Sequence, residues 1–141
     1  MRSRCTRYPF FPDWLLAGQL VFLGISALYG GYLLVVEPSG QRLQMSTSIL
    51  EGTPFHDFRL PGLFLFFGLG IGALLPLPGF AFRSTWFMPG SGAVGAALLL
   101  WILVQVLFVG YVSWLQPFYA LLGVSIIVLA ILARHAGVST A

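Results

Sequence analysis

Residues 84–133 run for fifty positions without one Asp, Glu, Lys, Arg or His. Residues 14–36 and 60–82 are two further stretches without charge. A soluble domain of 141 residues with this pattern would expose far too much apolar surface, so the chain is an integral membrane protein. A helix needs about 20 residues, at about 1.5 Å each, to cross the hydrocarbon core. The fifty-residue run is therefore too long for one helix and must turn back once, at residues 113–117. The reading is a single domain, residues 1–141, folded as an all-α bundle of four transmembrane helices. The spans are expected at about 14–36, 54–75, 93–112 and 117–133.

Charge is scarce and its placement gives an orientation. The basic residues are seven Arg and no Lys, giving a net charge of +3. They are dispersed, so they read as topology markers and not as a nucleic-acid surface. Arg2, Arg4 and Arg7 precede the first span, Arg83 lies between the second and third, and Arg134 follows the fourth. The opposite face holds only Arg42 and Arg59, beside Glu37, Glu51 and Asp57. By the positive-inside rule both termini are cytoplasmic. The first span is too long for a signal-peptide core, and no clear small-x-small cleavage site follows it. Tyr8, Phe10, Phe11 and Trp14 fit an interfacial aromatic belt, and Asp13 is a helix cap beside them. Cys5 is solitary, which excludes an intrachain disulfide and reads as a reduced thiol.

The outer loop, residues 37–58, is the largest segment outside the membrane. Ser46, Thr47 or Ser48 is expected to cap a short amphipathic helix ending at Gly52, with Leu43 and Leu50 toward the membrane. Thr53-Pro54 is the start signal for the second span, which would then meet Pro61 inside the helix and kink beside His56 and Asp57. Residues 76–92, with Pro76, Pro78 and Pro89, read as a loop on the other side. Gly68-x-x-x-Gly72, the set Gly24, Ala27 and Gly31, and Gly92-x-x-x-Ala96 are the expected faces of close helix packing. No internal repeat appears, which disfavours an inverted-repeat transporter.

Two places bring polar chemistry together. At the outer mouth, His56, Asp57 and Arg59 occur within four residues, flanked by Trp114 and Gln116 near the last turn. There His56 is a candidate base and Arg59 an anion holder in a ligand-binding pocket. Arg59 is expected to pair with Glu37 or a lipid phosphate, because it cannot meet Asp57 on the same helix. Within the bilayer, Gln105 lies past the middle of the third span, level with Ser26 and Tyr29. An amide in hydrocarbon needs partners, so an interhelical contact among these three is expected. His56 and His135 fall on opposite faces, so one chain supplies no bis-His haem or metal site, and no motif implies a cofactor.

Glu37-Pro38-Ser39-Gly40, the run from Thr53 to Phe58, Leu60-Pro61-Gly62-Leu63, and the run from Gly110 to Pro117 together resemble a family of uncharacterised small four-span bacterial membrane proteins. The likeness covers residues 14–132 and implies the fold and a bacterial cell membrane, with no activity attached. It is similar to the DoxX-like proteins in architecture alone. The leading expectation is a non-catalytic membrane protein, acting as an accessory or assembly subunit. Its partners are then membrane lipids and other membrane subunits, with no nucleic acid. The alternative is a binder or enzyme for a lipophilic molecule such as a quinone or lipid at the outer pocket, and a small transporter comes third.

Overall fold

The computed structural model describes residues 11–138, so the readings on Arg2, Arg4, Cys5, Arg7, Tyr8 and Phe10 lie outside the described residues. Four long helices account for the chain: α1 (Phe11–Val36), α2 (Arg59–Ala81), α3 (Phe87–Val109) and α4 (Leu115–Val138). Each is long and apolar enough to cross a membrane. The outward faces of α2, α3 and α4 carry Phe67, Leu107 and Leu121, all exposed, as lipid-facing surfaces are. The interior is leucine and small residues. Leu16, Leu20, Leu23 and Ala27 of α1, at spacings of four, three and four, meet Leu69, Ala73, Leu98, Ile126 and Ala130.

Every span opens with proline in its first turn, at Pro12, Pro61, Pro89 and Pro117. A first-turn N–H has no partner inside the helix, so proline costs nothing there and its fixed φ suits the helix. This corrects two sequence boundaries. The second span begins at Arg59, not near Pro54, so Pro61 is its third residue and introduces no kink. Thr53 instead makes a local turn, its hydroxyl accepting from Phe55 N–H at 3.2 Å and donating to Leu50 C=O at 2.7 Å. The third span begins at Phe87, and the connection from α2 shrinks to residues 82–86.

Antiparallel pairs are stitched at glycines. A Cβ placed on Gly31 of α1 would lie 2.6 Å from Phe66 N and 2.8 Å from Gly62 C=O. One on Gly62 would lie 2.7 Å from Leu34 Cβ, and one on Gly70 would meet Leu28 at 2.8 Å. The α2 face is thus Gly62, Phe66, Gly70 and Leu74, spaced four apart. In a helix of 3.6 residues per turn each such step drifts by about 40°, which would carry the stripe off α1 within a few turns. α2 avoids this by widening. Phe64–Ile71 form a π-helix, in which Gly72 N–H reaches Phe67 C=O, and the larger turn cancels the drift. Gly68 therefore faces outward and meets only the ring of Phe64 from its own helix, so Gly68-x-x-x-Gly72 is not the packing face. α3 and α4 cross in the same manner at Gly95 and Gly123, where a Cβ on Gly95 would sit 3.0 Å from Gly123 C=O.

The outer loop is a folded cap. Leu34, Leu50 and Phe58 form a second small core, joined by Leu43, Met45, Ile49 and Val109. The expected interfacial helix is a single 3₁₀ turn, Thr47–Leu50, capped by Ser46, and Leu50 points into the protein and not into lipid. Phe58 N–H donates to Pro38 C=O at 3.0 Å, which ties the two ends of the loop. Gly40, at φ 75°, lies under the Phe58 ring at a distance no Cβ would tolerate.

Candidate functional site

The bundle is stepped at its outer end. Gln19 of α1 donates through Nε2 to Ser125 Oγ of α4 at 2.8 Å, so these two residues are level. Gln19 lies roughly 25 Å below the outer end of α1, while Ser125 is only about 15 Å below the start of α4. The edge-to-face contact of Phe22 on Phe118, at 6.1 Å, is offset in the same direction. α4 therefore begins about 10 Å deeper than α1 ends, by the same rise per residue. The connection from α3 has to descend to reach it.

That descent explains Gln116. Residues 110–114 are non-helical backbone, turned by Gly110 at φ 78°. Such backbone is tolerated at membrane depth only if the protein satisfies it. Gln116, 8% exposed, does so from the first turn of α4: Oε1 accepts from Val112 N–H at 3.0 Å, and Nε2 donates to Gly110 C=O at 3.1 Å. Its amide is thereby committed to the turn.

The other outer-mouth residues stay apart. Asp57 Oδ1 accepts from Arg59 N–H at 3.0 Å, a local turn just ahead of α2 that takes up its first amide. Arg59 and His56 are exposed. Glu37 is taken by Arg42, whose Nε is 3.0 Å from Oε2, and by Ser39, so it is not the partner of Arg59. Trp114 is 68% exposed and its ring meets Phe118. No hydrogen bond or ring contact among the described residues joins His56, Asp57 or Arg59 to Trp114 or Gln116. Among the described residues no group of three His, Cys, Asp or Glu is placed to hold a metal ion.

The intramembrane set is likewise dispersed. Ser26 Oγ donates to Leu23 C=O of its own helix at 3.0 Å. Gln105 lies one turn from the end of α3, because that helix stops at Val109 and not at 112, and so it sits higher than Ser26. The interhelical polar contact that does form, Gln19 to Ser125, went unread in the sequence. Depth counting from Pro12 and from His135, the ends of the two apolar spans, brings the residues near one level, about 10 and 15 Å inside.

What the step leaves bare is the outer end of α1, from about Tyr29 to Val36, on a stripe that continues down the helix. Phe22, Ile25, Tyr29, Tyr32 and Val36 recur at spacings of three and four along one face, and all are exposed. Tyr29 is 65% and Tyr32 54% exposed. The heptad-like spacing is that of a helix-packing seam, with α2 occupied elsewhere and α4 beginning too low to cover its outer end. Tyr29 lies roughly 10 Å below the end of the helix, where a phenol in lipid lacks hydrogen-bond partners. Comparison with protein-family models, with curated proteins and with solved structures finds no significant match.

Proposed function

We propose that the protein is a non-catalytic accessory or assembly subunit of a membrane complex, and that the bare outer end of α1 receives a transmembrane helix of its partner. The observation that carries this reading is the exposed stripe Tyr29, Tyr32 and Val36, level with and above the step where α4 begins. A partner helix would bury the aromatic area, and its polar groups would receive the Tyr29 hydroxyl; interhelical hydrogen bonds in membranes contribute on the order of 0.6 kcal/mol each. Apolar dispersion contacts would supply the rest. The proposed setting is a bacterial cytoplasmic membrane, with the start of α1 and the end of α4 on the cytoplasmic side. Support for it comes from the distribution of arginine and from the resemblance to small four-span bacterial proteins.

The test is photocrosslinking in native membranes with p-benzoyl-phenylalanine at position 29 or 32, and at position 121 as a lipid-facing control. A discrete protein adduct is expected from positions 29 and 32 and not from 121. Lipid adducts alone at all three positions would overturn the assignment.

A further inference from the structure

A second surface feature lies at the opposite end of the bundle, between the start of α3 and the end of α4. Pro89 and Gly92 of α3 and Ile127 and Ile131 of α4 line an open groove of about 160 Å³, with Arg134 at its end. The groove exists because α3 presents little side chain there: a Cβ on Gly92 would meet only Ala130, at 4.0 Å. Its walls are apolar and open to the surrounding lipid. The Arg134 side chain is exposed and makes no ion pair or hydrogen bond with the described residues. Counted from Ser125, which is level with Gln19, Arg134 falls within about 5 Å of the level where α1 begins, which is headgroup depth.

We propose that this groove is a binding site for an anionic phospholipid, one acyl chain lying between α3 and α4 and the headgroup phosphate against Arg134. The shape alone accepts any acyl chain. The cation selects the headgroup, because guanidinium pairs with phosphate in a bidentate manner and a net negative headgroup leaves the ion pair uncancelled. A zwitterionic lipid offers the same phosphate beside its own cation, which opposes Arg134. One arginine near an anionic surface favours the anionic lipid by about fivefold.

The full chain, purified in detergent, is titrated with dioleoylphosphatidylglycerol or dioleoylphosphatidylcholine, and bound lipid is counted by native mass spectrometry. The expected result is about a fivefold preference for the glycerol lipid. Arg134→Gln, an exposed position whose change leaves the fold intact, should bring the two lipids to equality. Gly92→Leu fills the groove and should lower retention of both. Arg42→Gln, at the far end of the bundle, should change neither. Equal binding of the two lipids by the unmodified protein, or an undiminished preference in Arg134→Gln, would overturn the proposal. Displacement of the lipid by millimolar inorganic phosphate would also overturn it, since the site would then hold a free anion.

Discussion

Gly31→Val is expected to destabilise the bundle by about 3 kcal/mol, at the upper end of what overpacking costs. The reason is what the new side chain would meet. Gly31 faces Phe66 N and Gly62 C=O, which are backbone atoms of α2 and cannot rotate away as a flexible side chain would. Relief requires α1 and α2 to separate along the whole stripe from Gly24 to Leu34, losing the contacts at Gly62 and Gly70 together. Gly18 on the same helix is the internal control, because nothing lies within 4 Å of a Cβ there. Gly18→Ala should be neutral or gain up to about 1 kcal/mol from helix propensity. Unfolding in mixed micelles titrated with dodecyl sulfate, followed by circular dichroism, separates the two. Equal midpoints for the two variants would show that the α1–α2 seam is not packed on Gly31.

Gln116→Leu carries the second large effect, about 3 kcal/mol. Leucine matches the volume but leaves Val112 N–H and Gly110 C=O without partners, and each unsatisfied buried group costs about 1–3 kcal/mol. The loss should be local before it is global. Hydrogen exchange at Val112 should accelerate, and the α3–α4 connection should become sensitive to protease under conditions where α1 and α2 stay protected. Ser113→Ala nearby removes a hydroxyl that accepts only from exposed Leu115 N–H at 3.3 Å, and should cost within about 0.5 kcal/mol. Similar exchange rates in Gln116→Leu and the unmodified protein would mean that water, and not this side chain, satisfies the turn.

These two effects also mark what could be read from residues alone. Four spans follow from apolar length, because lipid forbids every other use of such runs. Their boundaries depended on proline, and proline misled in a regular way. Pro61 and Pro89 were read as a kink and a loop, whereas both sit as the third residue of a helix. Leu-Pro-Gly at 60–62 and Met-Pro-Gly at 88–90 each open a span, but the same phrase at 77–79 falls in the last turns of α2, so the phrase alone does not mark a start. Gly24 and Gly31 of α1 are close-packing positions, as their spacing implied. On α2 the Gly68-x-x-x-Gly72 motif pointed to the wrong face, since the motif presumes 3.6 residues per turn and the π-helix at Phe64–Ile71 changes the count. A wider turn is a response to the partner helix and leaves no mark in local composition.

The polar residues were legible by type and not by partner. Gln116 stood out, yet its role required knowing that α4 begins below the outer end of α1. Asp57 and Arg59 were expected on one helix and unable to pair there; Asp57 instead precedes α2, and its carboxylate accepts from the Arg59 backbone N–H. Gln19 and Ser125 lie 106 residues apart, and only the depth of both within the bilayer connects them. The tyrosine stripe on α1 has ordinary helical spacing. It became a candidate surface once the structure showed which neighbour fails to cover it.

All of these assignments presuppose that the chain crosses the bilayer four times, with residues 37–58 on the face opposite residues 82–86. Single-cysteine labelling tests this directly, in a Cys5→Ser background, with a membrane-impermeant maleimide on intact cells. Ser48→Cys, exposed on the outer cap, should label at once, and Ser84→Cys only after the membrane is permeabilised. The reverse pattern would invert the proposed orientation and place the α1 stripe toward the cytoplasm. Labelling of both positions from the same side would contradict the four-span fold itself.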